Sequence, residues 1–231
     1  MKINVSHLIL EVTRKCNMCC DHCLRGNAQA KDMTKEMVDT ILSNIDNIGT
    51  VTFTGGEPTL NLDIIRYFFE KAEEIGKLPS AFWIATNGKA YQLELANLLL
   101  QYYPKMDEPD ACGVAVSADI FHEEPEFNFL RELKFYDSSK EHSSEDIEKW
   151  VMKSGRAEEY GFGEEKLLDH RSTELYFETY KDSIDFEEIY VNVNGDIIPH
   201  CDYSFEEQEE MKICHITNFE THFSKEMENA A

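Results

Sequence analysis

Four cysteines lie within the eight residues from Cys16 to Cys23. Three of them, Cys16, Cys20 and Cys23, form a C-x3-C-x2-C array. Such a loop can bring three thiolates to one [4Fe–4S] cluster, because thiolate is the ligand that iron–sulfur clusters require. A cubic cluster has four irons, so three ligands leave one iron free to bind another molecule. A zinc site completed by Cys19 or His22 is the alternative, since zinc modules also use clustered Cys and His.

A second motif, Gly55-Gly56-Glu57-Pro58, ends an apolar stretch that is typical of a β-strand. Glycines allow a backbone to approach a ligand closely, and exposed carbonyl groups beside Glu57 can receive an ammonium group. An ordinary strand-to-helix turn is the alternative, and the preceding three-cysteine loop disfavours it. Together the two motifs resemble the radical S-adenosylmethionine (radical SAM) family.

The resemblance implies both cofactors and a mechanism. In this family the free iron of the cluster chelates the amino and carboxylate groups of SAM, and the Gly-Gly-Glu-Pro segment lies against the SAM amino group. The resemblance therefore implies an enzyme that reductively cleaves SAM at a [4Fe–4S] cluster on Cys16, Cys20 and Cys23. The 5′-deoxyadenosyl radical that results abstracts a hydrogen atom from a substrate that no residue of the sequence identifies.

Three polar residues, Asn87, Ser117 and Asp119, stand just after further predicted strands. The resemblance implies that such groups line the ribose and carboxylate region of SAM, and short hydrogen-bonding side chains suit ribose hydroxyls. Turn or cap positions are the alternative, because Asn, Ser and Asp often occupy them.

Strands and helices in alternation position these residues. Apolar stretches predict strands at 3–12, 50–54, 80–86 and 113–117, and helical periodicity predicts helices at 37–48, 62–75 and 91–103. This order predicts an α/β fold with a parallel sheet covered by helices, namely a partial (β/α) TIM-like barrel that is open on one side. Residues at the carboxyl ends of parallel barrel strands converge, so we expect the two motifs and the three polar residues to share one site.

The C-terminal part is less regular. Residues 190–198 predict a β-hairpin, because Asn194-Gly195 is typical of a type I′ turn. The many acidic residues after the hairpin predict a solvated tail. We therefore divide the chain into a barrel core at 1–185 and a short appendage of hairpin and acidic tail at 186–231.

The hairpin and Cys201 resemble the start of the C-terminal auxiliary-cluster segment, known as SPASM or twitch, of peptide-modifying radical SAM enzymes. The candidate ligands here are Cys201 and Cys214, with His200 and His215 beside them. Two thiolates are too few for a cube that is ligated entirely by cysteine. A degenerate or absent second cluster is the favoured interpretation, and a second metal site is the alternative.

Composition and charge limit the classes of function. The chain has 231 residues, 42% of them hydrophobic, which is enough for one sizeable core. Its net charge of −23 repels phosphate backbones and argues against a nucleic-acid partner, unless a local basic patch is present. No apolar stretch is long enough for a membrane span, and clustered cysteines favour metal binding in a reducing compartment. We therefore expect a cytoplasmic protein without a membrane partner.

The region around the cysteines is basic, unlike the rest. Residues 14–35 contain five basic and two acidic residues, a net charge of +3. One interpretation is a docking face for an acidic electron donor such as a flavodoxin or ferredoxin. Ordinary solvated charges are the other interpretation.

Within the family, the hairpin with its cysteine and the acidic surface favour an enzyme that modifies a peptide or protein. An activase of a glycyl-radical enzyme and a small-metabolite enzyme are the alternatives. A non-catalytic zinc or iron–sulfur interaction module is the alternative from another class, and it would bind metal but leave SAM intact.

Overall fold

The computed structural model of the chain describes residues 1–118, 121–122, 125–138 and 150–223. Asp119, a candidate SAM contact, lies outside these residues. In the described part of the chain, no helix has both the length and the apolar character needed to cross a membrane.

Strands alternate with helices through the first half of the chain, as predicted. The strands are β1 (Lys2–Thr13), β2 (Asn47–Gly55), β3 (Ala81–Thr86), β4 (Gly113–Val116), β5 (Phe177–Thr179), β6 (Ser183–Val191), β7 (Asp196–Ile198) and β8 (Cys214–His215). The helices are α1 (Lys35–Asn44), α2 (Leu62–Glu74), α3 (Gln92–Tyr102) and the short α4 (Arg156–Glu159) and α5 (Glu207–Glu210). The strands form one sheet in the order β4-β3-β2-β1-β6-β7-β8, with β5 also paired to β6.

Most of this sheet is parallel. Strand β1 pairs in parallel with both β2 and β6, and β3 and β4 continue the parallel order beyond β2. Strands β5, β7 and β8 are antiparallel to their neighbours. The predicted α/β class with a mostly parallel sheet is confirmed.

Strand β6 lies beside β1, and the sequence did not predict this pairing. Its register with β1 runs from Lys2↔Ser183 to Leu10↔Val191. The first strand of the predicted hairpin is therefore an inner strand of the main sheet, with β7 on its other edge. The division of the chain after residue 185 stays a prediction, and β6 passes through that position.

Strands β6 and β7 form the predicted hairpin, but their turn is not of type I′. Such a turn needs positive φ at both central residues, whereas only Gly195 has it, at +81°, and Asn194 does not. The Gly195 amide donates instead to the Asn192 carbonyl at 2.9 Å. The Asn192 side chain accepts from the amides of Asn194 and Asp196 at 2.9 and 3.0 Å, and these bonds favour the longer loop.

The two faces of the sheet differ, because alternate residues of a strand point to opposite sides. On one face, apolar side chains pack with those of α1, α2 and α3 in the main core. Strand residues in this core include Leu8, Leu10, Val51, Phe53, Phe82 and Ile84. On the other face, His7, Thr50, Thr52 and Trp83 line a cavity of about 460 Å³, which we call the sheet-face cavity.

Local signals set the ends of the first two helices. The Thr34 hydroxyl caps α1 by accepting from the Met37 amide at 3.3 Å. Gly76 follows α2 with a φ of +70°, which favours glycine at a helix end. The helices that flank β2 are therefore specified by nearby residues.

The acidic segment after the hairpin is only partly solvated, because α5 packs against the rest of the chain. Gln208 is fully buried and Glu207 is half-buried. The Glu207 carboxylate accepts from the Ser154 hydroxyl at 2.7 Å and the Ser204 amide at 2.8 Å, and it pairs with Arg171 at 2.8 Å. Burial opposes ionisation of Glu207, but these bonds outweigh it and lower its pKa to about 2.

The Glu207→Gln variant is expected to lose about 1 kcal/mol of unfolding free energy at neutral pH, because an amide cannot form the ion pair. A carboxylate with a depressed folded pKa stabilises the protein above its unfolded pKa, and this contribution is lost as the pH falls. The difference from wild type should therefore shrink between pH 4.5 and about pH 2. Urea denaturation at neutral pH and at about pH 3 measures it, with the exposed Glu206→Gln as control. An equal loss at both pH values would contradict a role of the charge.

Candidate active site

A cavity of about 660 Å³ lies at the carboxyl ends of β1, β2, β3 and β4. Predicted site residues in its wall are Cys16, Cys20, Cys23, Gly56, Glu57, Pro58, Asn87 and Ser117. His22, His122, Trp150 and Asp202 line it as well. The structure thus brings both motifs and two of the three polar residues to one place, which we call the active-site cavity.

The three cysteines lie on one loop. A hydrogen bond closes the base of this loop, where the Arg14 amide donates to the Lys31 carbonyl at 2.9 Å. We call residues 14–31 the cysteine loop. Inside it, the Cys23 amide donates to the Cys20 carbonyl at 3.2 Å. This turn holds the second and third cysteines of the array close together.

The donor set of the cysteine loop fits a cubic iron–sulfur cluster. Cys16, Cys20 and Cys23 form no disulfide and are partly buried in the wall of one cavity. Burial raises the pKa of the Cys16 and Cys23 thiols, and neighbouring thiols raise both further. Iron stabilises thiolates that are otherwise disfavoured by burial and by one another. A zinc site completed by Cys19 fits less well, because Cys19 is exposed and is not among the cavity-lining residues, whereas His22 lines the cavity.

Gly55 and Gly56 allow close contact between the second motif and the start of the cysteine loop. A Cβ on Gly55 would lie 2.0 Å from the Thr13 carbonyl oxygen, and one on Gly56 would lie 2.3 Å from that of Lys15. The amides of Gly56 and Glu57 donate to these two carbonyls at 2.8 Å. The sequence suggested a close approach to a ligand, and the structure shows a close approach between two backbone segments. The two motifs are thereby fixed to each other.

The Glu57 carboxylate is committed to hydrogen bonds within the protein. It is 1% exposed and accepts from the hydroxyl and amide of Thr59 at 2.6 and 3.0 Å. It also accepts from the Thr86 hydroxyl at 2.7 Å and the Asn87 amide at 2.8 Å, which ties the end of β2 to the end of β3. Glu57 is therefore a positioning residue, and contact of the backbone of its segment with an ammonium group stays a prediction.

Asn87 and Ser117 line the active-site cavity. The Asn87 side-chain nitrogen donates to the Asn17 side chain at 2.8 Å and lies 3.9 Å from the Cys16 sulfur. The Ser117 amide donates to the Thr86 carbonyl at 2.8 Å. Contacts of both side chains with SAM stay predictions.

Two residues that carry no sequence signal hold the cysteine loop from outside. Arg156 donates its amide to the Cys23 carbonyl at 2.9 Å and its guanidinium to the Cys20 carbonyl at 3.0 Å. Gly155 has a φ of +60°, and a Cβ there would lie 2.2 Å from the Leu24 carbonyl oxygen. Since 136 positions separate Arg156 from Cys20, no local pattern could have revealed this contact.

The Gly155→Ala variant is expected to lose roughly 2–3 kcal/mol of stability and most of its iron–sulfur cluster, because the added Cβ displaces the cysteine loop. Gly161→Ala is the matched control, since Gly161 also has positive φ, at +76°, but a Cβ there would meet no atom within 4 Å. We expect that control to lose about 1 kcal/mol through backbone strain alone and to keep its iron. Urea denaturation and iron per chain measure both effects. Equal iron content in the two variants would show that Gly155 does not hold the loop.

A buried ion pair anchors the first residue of the cysteine loop. Arg14 is 1% exposed and donates to the fully buried Glu11 at 2.7 Å. Gln208 accepts from Arg14 at 2.7 Å and donates to Glu11 at 2.9 Å, and the Tyr190 hydroxyl donates to Glu11 at 2.6 Å. This network joins the cysteine loop to β6 and α5.

The basic residues around the cysteines are largely engaged with the protein itself. Arg14 is buried, and Lys15 pairs with Asp32. Arg25 donates to the Tyr203 carbonyl at 2.7 Å. Lys31 and Lys35 are exposed, and docking of an electron donor on this region stays a prediction.

The two C-terminal cysteines lie in different surroundings. Cys214 is in β8 and is 8% exposed within the main core. Cys201 follows β7 and lines the sheet-face cavity. Hydrogen bonds with Asp202 and Cys201 raise the pKa of His200 to about 10. The resemblance to the SPASM group stays a prediction.

Comparison with known proteins identifies a matching family and similar folds. The model of the Radical SAM superfamily matches residues 10–157. BtrN in complex with AdoMet and 2-DOIA has a TM-score of 0.52 and 16% identity, covering 97% of this chain and 82% of that chain. AnSMEcpe with bound AdoMet and Cp18Cys peptide has a TM-score of 0.50 and 14% identity, covering 93% of this chain and 78% of that chain. At such low identity, these two structures show a shared fold.

An uncharacterized protein of Methanocaldococcus jannaschii is 45% identical over 65 residues. That alignment covers 26% of this chain and 22% of the relative, so the chain matches about a fifth of that protein's length. Enzymes of the family matched above use SAM and a [4Fe–4S] cluster. Because the family model spans more than half of the chain, this protein belongs to the radical SAM superfamily.

Proposed function

We propose that this enzyme reductively cleaves SAM in the active-site cavity and uses the resulting radical to modify a peptide or protein. The observation that supports the chemistry most strongly is the convergence of three thiols and the Gly-Gly-Glu-Pro motif on one cavity of about 660 Å³. Cys16, Cys20 and Cys23 would hold the cluster and leave one iron for SAM.

Cys16, Cys20 and Cys23 would hold the cluster, which when bound and reduced would supply the electron for cleavage of SAM and so the radical chemistry of the reaction. The residues of the chain position the reactants. The Gly56 backbone carbonyl would receive the SAM ammonium group, and Glu57 keeps that segment fixed against β3. Asn87 and Ser117 would contact the ribose and carboxylate, with Asp119 as a further candidate.

One residue in the wall of the active-site cavity favours a large substrate. Trp150 lines the cavity although it is 76% exposed, so an apolar ring stands at the opening where an extended chain would enter. The structure of AnSMEcpe, which has a similar fold, contains a bound peptide, and this also favours a peptide substrate. A small-molecule substrate is the second candidate, because the BtrN structure contains 2-DOIA.

The test is cleavage of SAM by the full chain, purified and reconstituted without oxygen and then mixed with dithionite and SAM. We expect 5′-deoxyadenosine, detected by mass spectrometry, from the wild type and none from the variant with Cys16, Cys20 and Cys23 all changed to Ala. A peptide-modifying enzyme should form deoxyadenosine faster with the peptide fraction of a source-cell extract than with its small-metabolite fraction.

Two results would overturn the proposal at different levels. A bound zinc in place of iron, with SAM left intact, would identify a non-catalytic module. Acceleration by the small-metabolite fraction alone would keep the SAM chemistry but reject the peptide substrate.

A further inference from the structure

Three metal-ligating side chains meet on the face of the sheet that lacks the main core. Strands β6 and β7 pair through Tyr190↔Ile198, so Glu188, two residues before Tyr190 in β6, lies beside His200, two residues after Ile198. Cys201 follows directly. One ligand atom each of Glu188, His200 and Cys201 lies within 4.8 Å of the other two, and we call these residues the His200 cluster.

The His200 ring is oriented as in many metal sites. Its Nδ1 lies 3.0 Å from an Asp202 carboxylate oxygen, which leaves Nε2 to face the Glu188 Oε1 atom at 3.6 Å. A carboxylate that accepts from one ring nitrogen fixes the tautomer in which the other nitrogen can bind a metal. Asp202 therefore acts as the partner that positions His200.

Glu188 offers an oxygen whose hydrogen-bonding capacity is unused. Its Oε2 atom is 3.1 Å from Nδ1 of His7, whose Nε2 in turn is 2.7 Å from the Thr52 hydroxyl. Its Oε1 atom is buried and makes no hydrogen bond. A buried carboxylate oxygen that accepts no hydrogen bond has capacity left for a metal ion.

We propose that Glu188, His200 and Cys201 bind one divalent zinc-class metal ion, separate from the iron–sulfur cluster. A tetrahedral zinc site with one sulfur, one nitrogen and one oxygen ligand needs those atoms about 3.3 to 3.6 Å apart. The 3.6 Å between His200 Nε2 and Glu188 Oε1 lies at the upper end of this range, and the Cys201 sulfur, which lies within 4.8 Å of the ligand atoms, would move closer on binding. Among the described residues, the His200 cluster contains one cysteine, and one thiolate is too few for a second cubic iron–sulfur cluster.

The ion would lie in the wall between two cavities. Glu188 and Cys201 line the sheet-face cavity, and Asp202 lines both that cavity and the active-site cavity. Three protein ligands leave a fourth position of the metal for a water molecule or for a donor atom of the substrate. This last role rests on the proposed function, whereas the metal site itself does not.

The test is the zinc content and zinc environment of the full chain after its iron–sulfur cluster has been reconstituted. The protein is incubated with zinc chloride and desalted, its zinc and iron are counted by mass spectrometry, and X-ray absorption at the zinc edge gives the ligand types. We expect about one zinc per chain with one sulfur in its shell, independent of SAM cleavage. His200→Ala and Cys201→Ala should lose the zinc and keep the iron, whereas the matched controls His215→Ala and Cys112→Ala should keep both.

Three results would overturn the metal site. The first is a wild type that retains no zinc after desalting. The second is zinc with three or four sulfur ligands, which would place it in the cysteine loop. The third is variants that retain as much zinc as their controls. Glu188→Gln preserves the shape of the side chain and decides the question if the other variants fail to fold. It should lower the zinc affinity at least about tenfold.

Discussion

Cys20→Ala is expected to abolish both the iron–sulfur cluster and the cleavage of SAM, whereas Cys19→Ala is expected to leave both intact. Cys20 lines the active-site cavity with Cys16 and Cys23, while its neighbour Cys19 is exposed and is not among the lining residues. A cube left with two thiolates loses a direct ligand. The effect should therefore exceed the roughly 10- to 100-fold loss that follows removal of an outer partner of a metal site.

The two variants differ by one position, which makes Cys19→Ala a close control for expression, folding and oxidation. Iron per chain, the visible absorption of the cluster and the yield of 5′-deoxyadenosine measure the outcome. A full cluster in Cys20→Ala would refute the ligand assignment. Loss of metal in Cys19→Ala would favour a zinc site that uses this residue.

Local patterns predicted the first half of the fold well. The apolar stretches and helical periodicity up to residue 117 correspond to β1–β4 and α1–α3, because hydrophobic alternation and caps such as Thr34 act over a few residues. The convergence of the motifs also followed from the sequence, since each motif comes directly after a strand and parallel strands end on the same side.

Contacts between distant parts of the chain could not be predicted. The pairing of β6 with β1 depends on tertiary packing between distant parts of the chain. The apolar residues of the two strands do not by themselves specify which strands become neighbours. Glu57 illustrates the same limit within the site. Its motif suggested a ligand contact, but its partners Thr59 and Thr86 satisfy the carboxylate inside the protein. Gly155 and Arg156 have no motif at all, because their role depends on a loop far away in sequence.

The buried ion pair of Glu11 and Arg14 gives the largest expected effect on stability. Arg14→Met keeps much of the side-chain volume but removes the cation that is hydrogen-bonded to the Glu11 carboxylate, at a position that is 0% exposed. Removal of one partner of a buried ion pair costs about 3–5 kcal/mol, a large share of the roughly 5–15 kcal/mol that stabilises a typical domain. We expect a loss of that size in urea denaturation, together with a loss of cluster because Arg14 begins the cysteine loop.

The size of this loss should depend on the charge that is left behind. The double variant Glu11→Gln/Arg14→Met removes that charge, and it should be more stable than Arg14→Met alone, since buried ion pairs can be replaced by neutral groups at little cost. Lys15→Met is the control at the adjacent position, because Lys15 pairs with Asp32 at a site where the two side chains are 46% and 36% exposed. An exposed pair contributes about 0–1 kcal/mol, so this control should stay close to wild type. A double variant no more stable than Arg14→Met would show that the guanidinium acts through its hydrogen bonds to Gln208 and Gln29 and not through the charge of Glu11.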